Sequence, residues 1–559
     1  MNEDNVGTRD LDGSLIEPAF GDDWWQQGVV YQIYPRSFSD TNGDGVGDLP
    51  GIIEHLDHLV ELGVDAVWLS PIYPSPGRDV GYDVSDHEAI DPAYGREADF
   101  DRLVSEAHRR GLRVILDLVM NHTSDAHRWF EASRASRDGE FADWYLWRNP
   151  AGYDMDGTPL PPNNWLSFFG GSAWAWEPLR GQFYMHTFLV EQPELNWRNP
   201  AVEAAQFRMV RGWLERGVDG FRLDVFNAFL KHPDLLSNPV SEGLLAWDRQ
   251  EHLYNRDQPD LPDLIARFRA ILDERPGRMS VGELFASEAD RAVALTAERH
   301  LVFDWALLVA PWSAAAYSAA IDAREAMFGA SRWPANVLSN HDKSRQATRL
   351  SESAGITDTD AVARAAAVVL LTTRGTPFLY YGEELGLRDV AVPFDEIIDP
   401  PARRVGDPDF SWWNRDQCRS PMPWTGDPGH GFNSARPWIR YAADAATRNV
   451  EAQSADPGSV LAAYRRILAL RRATPALRIG TRKPVASGDP DILAWFRESP
   501  DERYLIVVNF ADEPRTTTVT DRTGQAVESV VGSHQVPSVA QPGAGLELRP
   551  LEAVILRVG

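Results

Sequence analysis

LDLVMNH (residues 116–122), DGFRLD (219–224), SVGEL (280–284) and VLSNHD (337–342) decide the fold of this chain. Each is a short, strand-like apolar run that reaches a carboxylate, a histidine or an arginine. One such ending is a strand meeting solvent at a turn. Four of them, spread over more than two hundred residues, are strands delivering side chains to a common mouth. A parallel α/β barrel does this at the carboxyl ends of its strands, where its active site lies.

The intervening sequence repeats one pattern: amphipathic helix, glycine stop, β-branched strand. Ile52, Ile53, Leu56, Leu59 and Val60 predict a single helical stripe ended by Gly63, with a strand over 66–72. Leu103, Val104 and Ala107 repeat it with Gly111 and a strand over 114–119, and Trp213, Leu214 and Gly217 precede a strand over 220–225. Residues 29–34, 301–307 and 376–381 supply a first, a sixth and an eighth strand. Alternating β and α implies parallel strands, and no glycine-rich phosphate loop follows the first strand as an open doubly wound sheet would require. Residues 123–196 are rich in Trp, Asn, Gly and Pro without helical period, too long for a plain loop, and read as a domain inserted after the third strand. A second excursion covers 227–276. After a helix over 460–472, with Ser459 as N-cap, ILAWF (492–496), YLIVVNF (504–510) and LEAVILRV (551–558) change to period two. The predicted architecture is a (β/α)8 TIM barrel (20–122 and 197–480), an inserted domain (123–196) and a C-terminal antiparallel β-sandwich (481–559).

The 55 basic and 82 acidic residues give a net charge of −27. Such a surface repels nucleic acid and anionic membranes and is indifferent to a small neutral ligand. Lys231, Lys343 and Lys483 are the only lysines, a bias that by itself carries no chemistry. Cys418, the only cysteine, excludes an internal disulfide and a cysteine-rich metal site. The acidic first twenty residues lack the features of a signal peptide, and no apolar run reaches the ~18 residues of a spanning helix. A soluble, cytoplasmic protein is expected, and the sequence leaves monomer and homodimer both open.

In order and spacing, the four strand endings resemble the signature regions of glycoside hydrolase family 13, the α-amylase family. QPELN (192–196), DTNGDGVGDLPG (40–51) and CRSPMPW (418–424) make the chain similar to its oligo-1,6-glucosidase and α-glucosidase branch. The similarity runs from about Trp24 to the C-terminus.

The resemblance implies Asp224 as nucleophile and Glu283 as general acid/base, the pair a retaining glycosidase sets roughly 5–5.5 Å apart. Arg222, two residues before Asp224 on one strand, faces the same side and is expected to hold it ionised. Apolar Val281 and Leu284 predict a drier, less acidic Glu283. The resemblance makes Asp342 the third carboxylate, gripping sugar hydroxyls, and His122 and His341 donors to the same sugar. It makes Asp79 a substrate-holding carboxylate, Tyr82 a ring-stacking partner, and Arg419 the arginine that pairs with Asp79 and closes the groove into a pocket. Valine at Val225 accompanies α-1,6 activity in the resembled branch, by narrowing the entrance where the leaving sugar sits. Trp165, Phe168, Phe169, Trp174 and Trp176 crowd the inserted domain, most of them expected in its core.

Asp40, Asn42, Asp44 and Asp48 alternate in a glycine-rich loop around the Val46 carbonyl. Oxygen-only donors favour a structural Ca²⁺, with Mg²⁺ the other hard cation to consider. Gly51 stands where an EF-hand needs its glutamate, so the loop is similar to the family's own metal loop instead. Together these readings imply an exo-acting, retaining α-glucosidase of short neutral gluco-oligosaccharides, leaning to α-1,6 over α-1,4 linkages. Two rivals are a transglycosylating sucrose or trehalose isomerase, with the same catalytic residues, and a non-enzymatic scaffold, which predicts lost carboxylates and a membrane segment.

Overall fold

The computed structural model describes residues 20–243, 246–284, 301–405, 414–433, 436–519, 527–539 and 545–559. The signal-peptide expectation concerns residues 1–19 and lies outside them. Eight parallel strands close a barrel in sequential order: β1 (Val30–Ile33), β2 (Ala66–Leu69), β3 (Arg113–Leu118), β4 (Gly220–Leu223), β5 (Met279–Gly282), β6 (Leu301–Asp304), β7 (Ala335–Val337) and β8 (Thr376–Tyr380). All eight are buried along their length, as strands lined by side chains inside and covered by helices outside must be.

The strands are shorter than the apolar runs that announce them, because the runs continue into turns. β6 stops at Asp304, whose carboxylate accepts from the Ala306 amide and starts the short helix Ala306–Val309. The predicted helical stripe before β2 is two helices, Leu49–Glu54 and Leu56–Leu62. They break at His55, whose ring stacks on Trp424 at 3.5 Å, and Val60 faces solvent instead of joining the stripe. Ser459 caps Val460–Ala473 through the Ala462 amide, as its sequence position predicts.

Residues 123–196 carry one helix (Arg128–Ala135), a small antiparallel sheet (Trp147–Arg148, Trp174–Glu177, Gln182–Met185) and a two-stranded hairpin. A bridge between His122 and Glu194 ties the segment to the chain just past β3, and one between Tyr145 and Leu195 ties it to itself. At the other end, β9 (Thr481–Val485), β10 (Ile492–Glu498), β11 (Arg503–Asn509), β12 (Val527–Gly532) and β13 (Ala553–Val558) form an antiparallel sheet in the order 9-10-11-13-12. Alternate residues face two cores. Phe496, Leu505 and Val507 pack under the second sheet (Arg515–Thr517 with Leu546–Leu548), while Trp495, Tyr504 and Ile506 join the barrel's own core. Arg497 reaches across that junction and donates to the Thr372 and Gly480 carbonyls, and Arg471 donates to Leu371 and Leu477. Leu371 and Thr372 are the last residues of helix Thr359–Thr372, so the two guanidiniums satisfy its orphan carbonyls and its dipole at once.

Candidate active site

Period two places Arg222 of β4 inside the barrel, and the parallel register sets it beside Asp117 of β3 and Val281 of β5. Asp224 and Glu283 lie just past the ends of β4 and β5, and the backbone amides of both are tied to neighbouring strands. Gly282 precedes Glu283 because a Cβ there would stand 2.5 Å from the Phe226 ring. His122 and Asp342 come from the loops after β3 and β7.

Three carboxylates converge on one guanidinium. Arg222 Nη1 donates to Asp117 Oδ1 at 2.7 Å and to Asp224 Oδ1 at 2.8 Å, and its Nη2 pairs with Glu283. Arg222 is buried, with its Cζ 5.3 Å from the Trp68 ring. Burial pushes Asp224 well above the usual carboxylate range; Arg222 pulls against it, and Glu283 and Asp117 push with it. The expected ionising effect of Arg222 is therefore present but outweighed. Glu283 is also raised, by burial first, against Arg222 and with Asp342. Asp117, raised by burial to about 6, belongs to the same set. Three buried carboxylates on one cation titrate as a unit and retain a proton, which is what a site with one acid and one anion needs.

Asp342 is held oppositely. Burial disfavours its charge, but His341, Arg415 and Arg419 outweigh burial and keep the carboxyl far below its ordinary value. Burial lowers His341 to about 3, so its ring is neutral near pH 7 and the two guanidiniums carry the effect. Gln32 donates to His341 Nδ1 at 2.7 Å, which leaves Nε2 protonated to donate to the Tyr82 hydroxyl at 2.6 Å; that hydroxyl donates to Asp117 Oδ2 at 3.0 Å. His341 is thus a buried support beneath Tyr82, not a group exposed to a ligand as the resemblance implies. His122 lines the cavity, neutral through burial at about 4, and its Nε2 meets the Tyr82 carbonyl at 3.1 Å.

The arginine opposite Asp79 is not Arg419. Arg415 Nη2 donates to Asp79 Oδ1 at 2.6 Å, its Nε donates to Asp399 at 2.8 Å, and its Nη1 reaches Asp342 at 3.4 Å. Arg419 is turned beneath the site, bonding the His341 carbonyl at 2.8 Å and Asp342 Oδ1 at 2.9 Å and packing over Tyr34. The short helix Arg415–Cys418 causes the difference, aiming its first residue at the cavity and turning the chain under at its end. Gln192 of QPELN donates to Asp79 Oδ2 at 3.1 Å.

Asp79, Tyr82, His122, Asp224, Val225, Glu283 and Asp342 line one cavity of about 130 Å³, together with Phe168, Phe169, Phe188, Lys343 and Arg415. Trp165 and Trp174 fill the core of the inserted segment, as expected of most of its aromatics. Val225 sits at φ 35°, a left-handed conformation that a β-branched residue seldom adopts, on the wall beside Asp224. Sequence reasoning missed Arg415, Asp117, Gln32, Phe188 and Asp399. Asp117 left a signal, a carboxylate inside an apolar strand.

The loop at 40–48 lies outside the cavity. Asp40 accepts from the Asn42, Gly43 and Gly45 amides, Asn42 from Asp44, Asp44 from Val46, and Asp48 from Thr41 and Gly51. Among the described residues no three His, Cys, Asp or Glu side chains are grouped to hold an ion, so a cation there would draw on Asn42 and the Val46 carbonyl as well. The donor set, all oxygen and partly buried, fits a hard cation.

Arg415→Met would strip Asp79, Asp399 and Asp342 of a shared partner and is expected to destabilise the protein by about 3–5 kcal/mol. Asp79→Asn should cost less, because Asp399 still holds the guanidinium. Thermal unfolding compares them; equal losses would mean that Asp79 alone accounts for the pairing.

The model of the α-amylase catalytic domain matches residues 32–480, and that of the maltogenic amylase C-terminal domain matches 483–555. A probable α-glucosidase of Rhizobium meliloti is 43% identical over 521 residues, covering 90% of this chain and 92% of that protein. An oligo-1,6-glucosidase of Parageobacillus thermoglucosidasius is 33% identical, covering 96% and 99%. The crystal structure of an alpha-glucosyl transfer enzyme, XgtA, superposes with a TM-score of 0.88 at 41% identity, covering 96% of this chain and 99% of that one. With its barrel, its C-terminal sheet domain and nearly its whole length so matched, the chain belongs to the α-amylase family of glycoside hydrolases, glycoside hydrolase family 13.

Proposed function

We propose that this protein is an exo-acting, retaining α-glucosidase that removes one glucosyl unit from the non-reducing end of short α-linked oligosaccharides, preferring α-1,6 to α-1,4 bonds. The observation that carries the reading is the convergence of Asp224 and Glu283 on Arg222 at a cavity whose wall carries the Asp79–Arg415 pair. At about 130 Å³ the space is far below the ~300–1,000 Å³ of drug-sized pockets, which supports a single buried sugar ring.

In this mechanism Asp224 attacks the anomeric carbon while Glu283 gives its proton to the leaving oxygen. Glu283 then takes a proton from water as that water attacks the glucosyl ester and frees Asp224. Asp342, kept ionised by Arg415 and Arg419, accepts hydroxyl bonds from the ring and stabilises its positive charge in the transition state. Tyr82 offers its face to the ring, braced from below by His341 and Asp117. The similarity to an alpha-glucosyl transfer enzyme favours a second reading, in which a sugar replaces water as acceptor. Product analysis at high substrate concentration separates the two.

The loop at 40–48 is proposed to hold Ca²⁺ as a brace of the barrel wall, away from the reacting atoms. Cytoplasmic location is likewise a proposal; among the described residues no helix is long and apolar enough to cross a membrane.

Asp224→Asn is expected to lower kcat by more than a thousandfold with the fold intact. Glu283→Gln should regain much of its lost rate on nitrophenyl α-glucosides, whose leaving group needs no proton. Near-normal turnover in Asp224→Asn would remove the assignment. Val225→Thr keeps the branched shape at φ 35° but adds a hydroxyl, and should raise the maltose-to-isomaltose rate ratio within the ~1–3 kcal/mol that one side chain supplies. An unchanged ratio would show that Val225 does not set linkage. Chelation should lower Tm while leaving turnover at low temperature largely intact. Unchanged Tm together with no bound metal by elemental analysis would eliminate the ion.

A further inference from the structure

The cavity has two cations on its wall, Arg415 and Lys343. Arg415 is spent on Asp79, Asp399 and Asp342. Lys343 is different: among the described residues no carboxylate lies within ion-pairing distance of its ammonium, whereas Lys231 and Lys483 are each paired, with Glu194 and Glu498. Its backbone is fixed by a tight turn, closed by a bridge between Asn340 and Lys343 and by the Asn340 side chain accepting from the Asp342 amide at 2.9 Å. The exposed side chain therefore projects from a rigid base next to Asp342, on the open side of the cavity that it lines.

Its side of the cavity follows from its exposure. The Lys343 charge acts on Glu283, where it favours the ionised carboxylate. On the proposed reading Glu283 faces the leaving-group oxygen, because it must protonate it. An exposed residue on the cavity wall stands at its open side, where a leaving group enters and departs, whereas Asp79 is buried at the part of the wall proposed to hold the glucosyl ring.

We propose that Lys343 is a specificity-determining residue of the leaving-group side, and that the enzyme accepts α-glucosides whose leaving group carries an oxyanion, a carboxylate or a phosphate. An ammonium with three donors, exposed at the cavity mouth and without a carboxylate partner among the described residues, recognises such a group by a charge-assisted hydrogen bond. It also disfavours amino-sugar leaving groups, whose charge it repels. The inference rests on the proposed α-glucosidase activity.

The test is a ratio within one enzyme. The carboxylate arm compares kcat/KM for 4-carboxyphenyl and 4-carbamoylphenyl α-glucosides, which differ by one charge at similar shape. The phosphate arm compares a glucosyl-glucose carrying a 6-phosphate on its leaving unit with the unphosphorylated disaccharide. In Lys343→Gln the charged-to-neutral ratio is expected to fall about fivefold or more in at least one arm, and Lys343→Arg should restore it; the arm that responds identifies the anion. Any loss common to both members of a pair cancels. If both ratios stay unchanged in Lys343→Gln, the residue acts only on Glu283 and the proposal is overturned. If the unaltered protein turns over no neutral member of either pair, the parent activity fails and this inference fails with it.

Discussion

The site hangs on the guanidinium of Arg222. One buried cation holds Asp117, in β3, and Asp224 and Glu283, just past the ends of the adjacent β4 and β5. A lone buried carboxylate costs so much that it takes a proton; three around one cation share both the cation and the proton. The barrel supplies what makes this geometry possible, since parallel strands in register bring Asp117 and Arg222 side by side and end at a common rim. The Trp68 and Tyr82 rings pack near the guanidinium, its Cζ 5.3 and 5.8 Å from their centroids, and Arg222 is buried.

A second ionic layer works by the opposite rule. Asp342 has two arginines for one carboxylate, and they outweigh the burial that would otherwise neutralise it. Arg415 ties that layer to Asp79 and thereby to Gln192 of the inserted segment. The Asp79–Arg415 part of the cavity wall and the docking of the inserted segment on the barrel are thus parts of one network. Replacing a member is felt as loss of fold as well as loss of binding, which is why the experiments above separate stability from turnover.

Much of this was legible in the sequence because chemistry at a barrel rim leaves a local mark. Asp224, Glu283 and Asp342 each terminate an apolar run, and the runs themselves gave the barrel. What was not legible is what depends on which of two similar residues a short helix aims inward. Arg415 and Arg419 lie four residues apart, and only the fold of Arg415–Cys418 decides that Arg415 meets Asp79 while Arg419 passes beneath. His341 differs from what the resemblance implies, because Gln32 and Tyr82 occupy both its ring nitrogens. Phe188 sits in a stretch with no period and no motif, and Lys343 follows directly on the 337–342 run, so only their place on the cavity wall marks them.

The central claim is double displacement at one anomeric carbon, with Asp224 on one side of the ring and Glu283 on the leaving-group side. Proton NMR of isomaltose hydrolysis, followed faster than mutarotation, tests it most directly. The account predicts that the glucosyl unit appears first as α-glucose and drifts toward the equilibrium mixture afterwards. Initial release of that unit as β-glucose would mean single displacement by water and would contradict it.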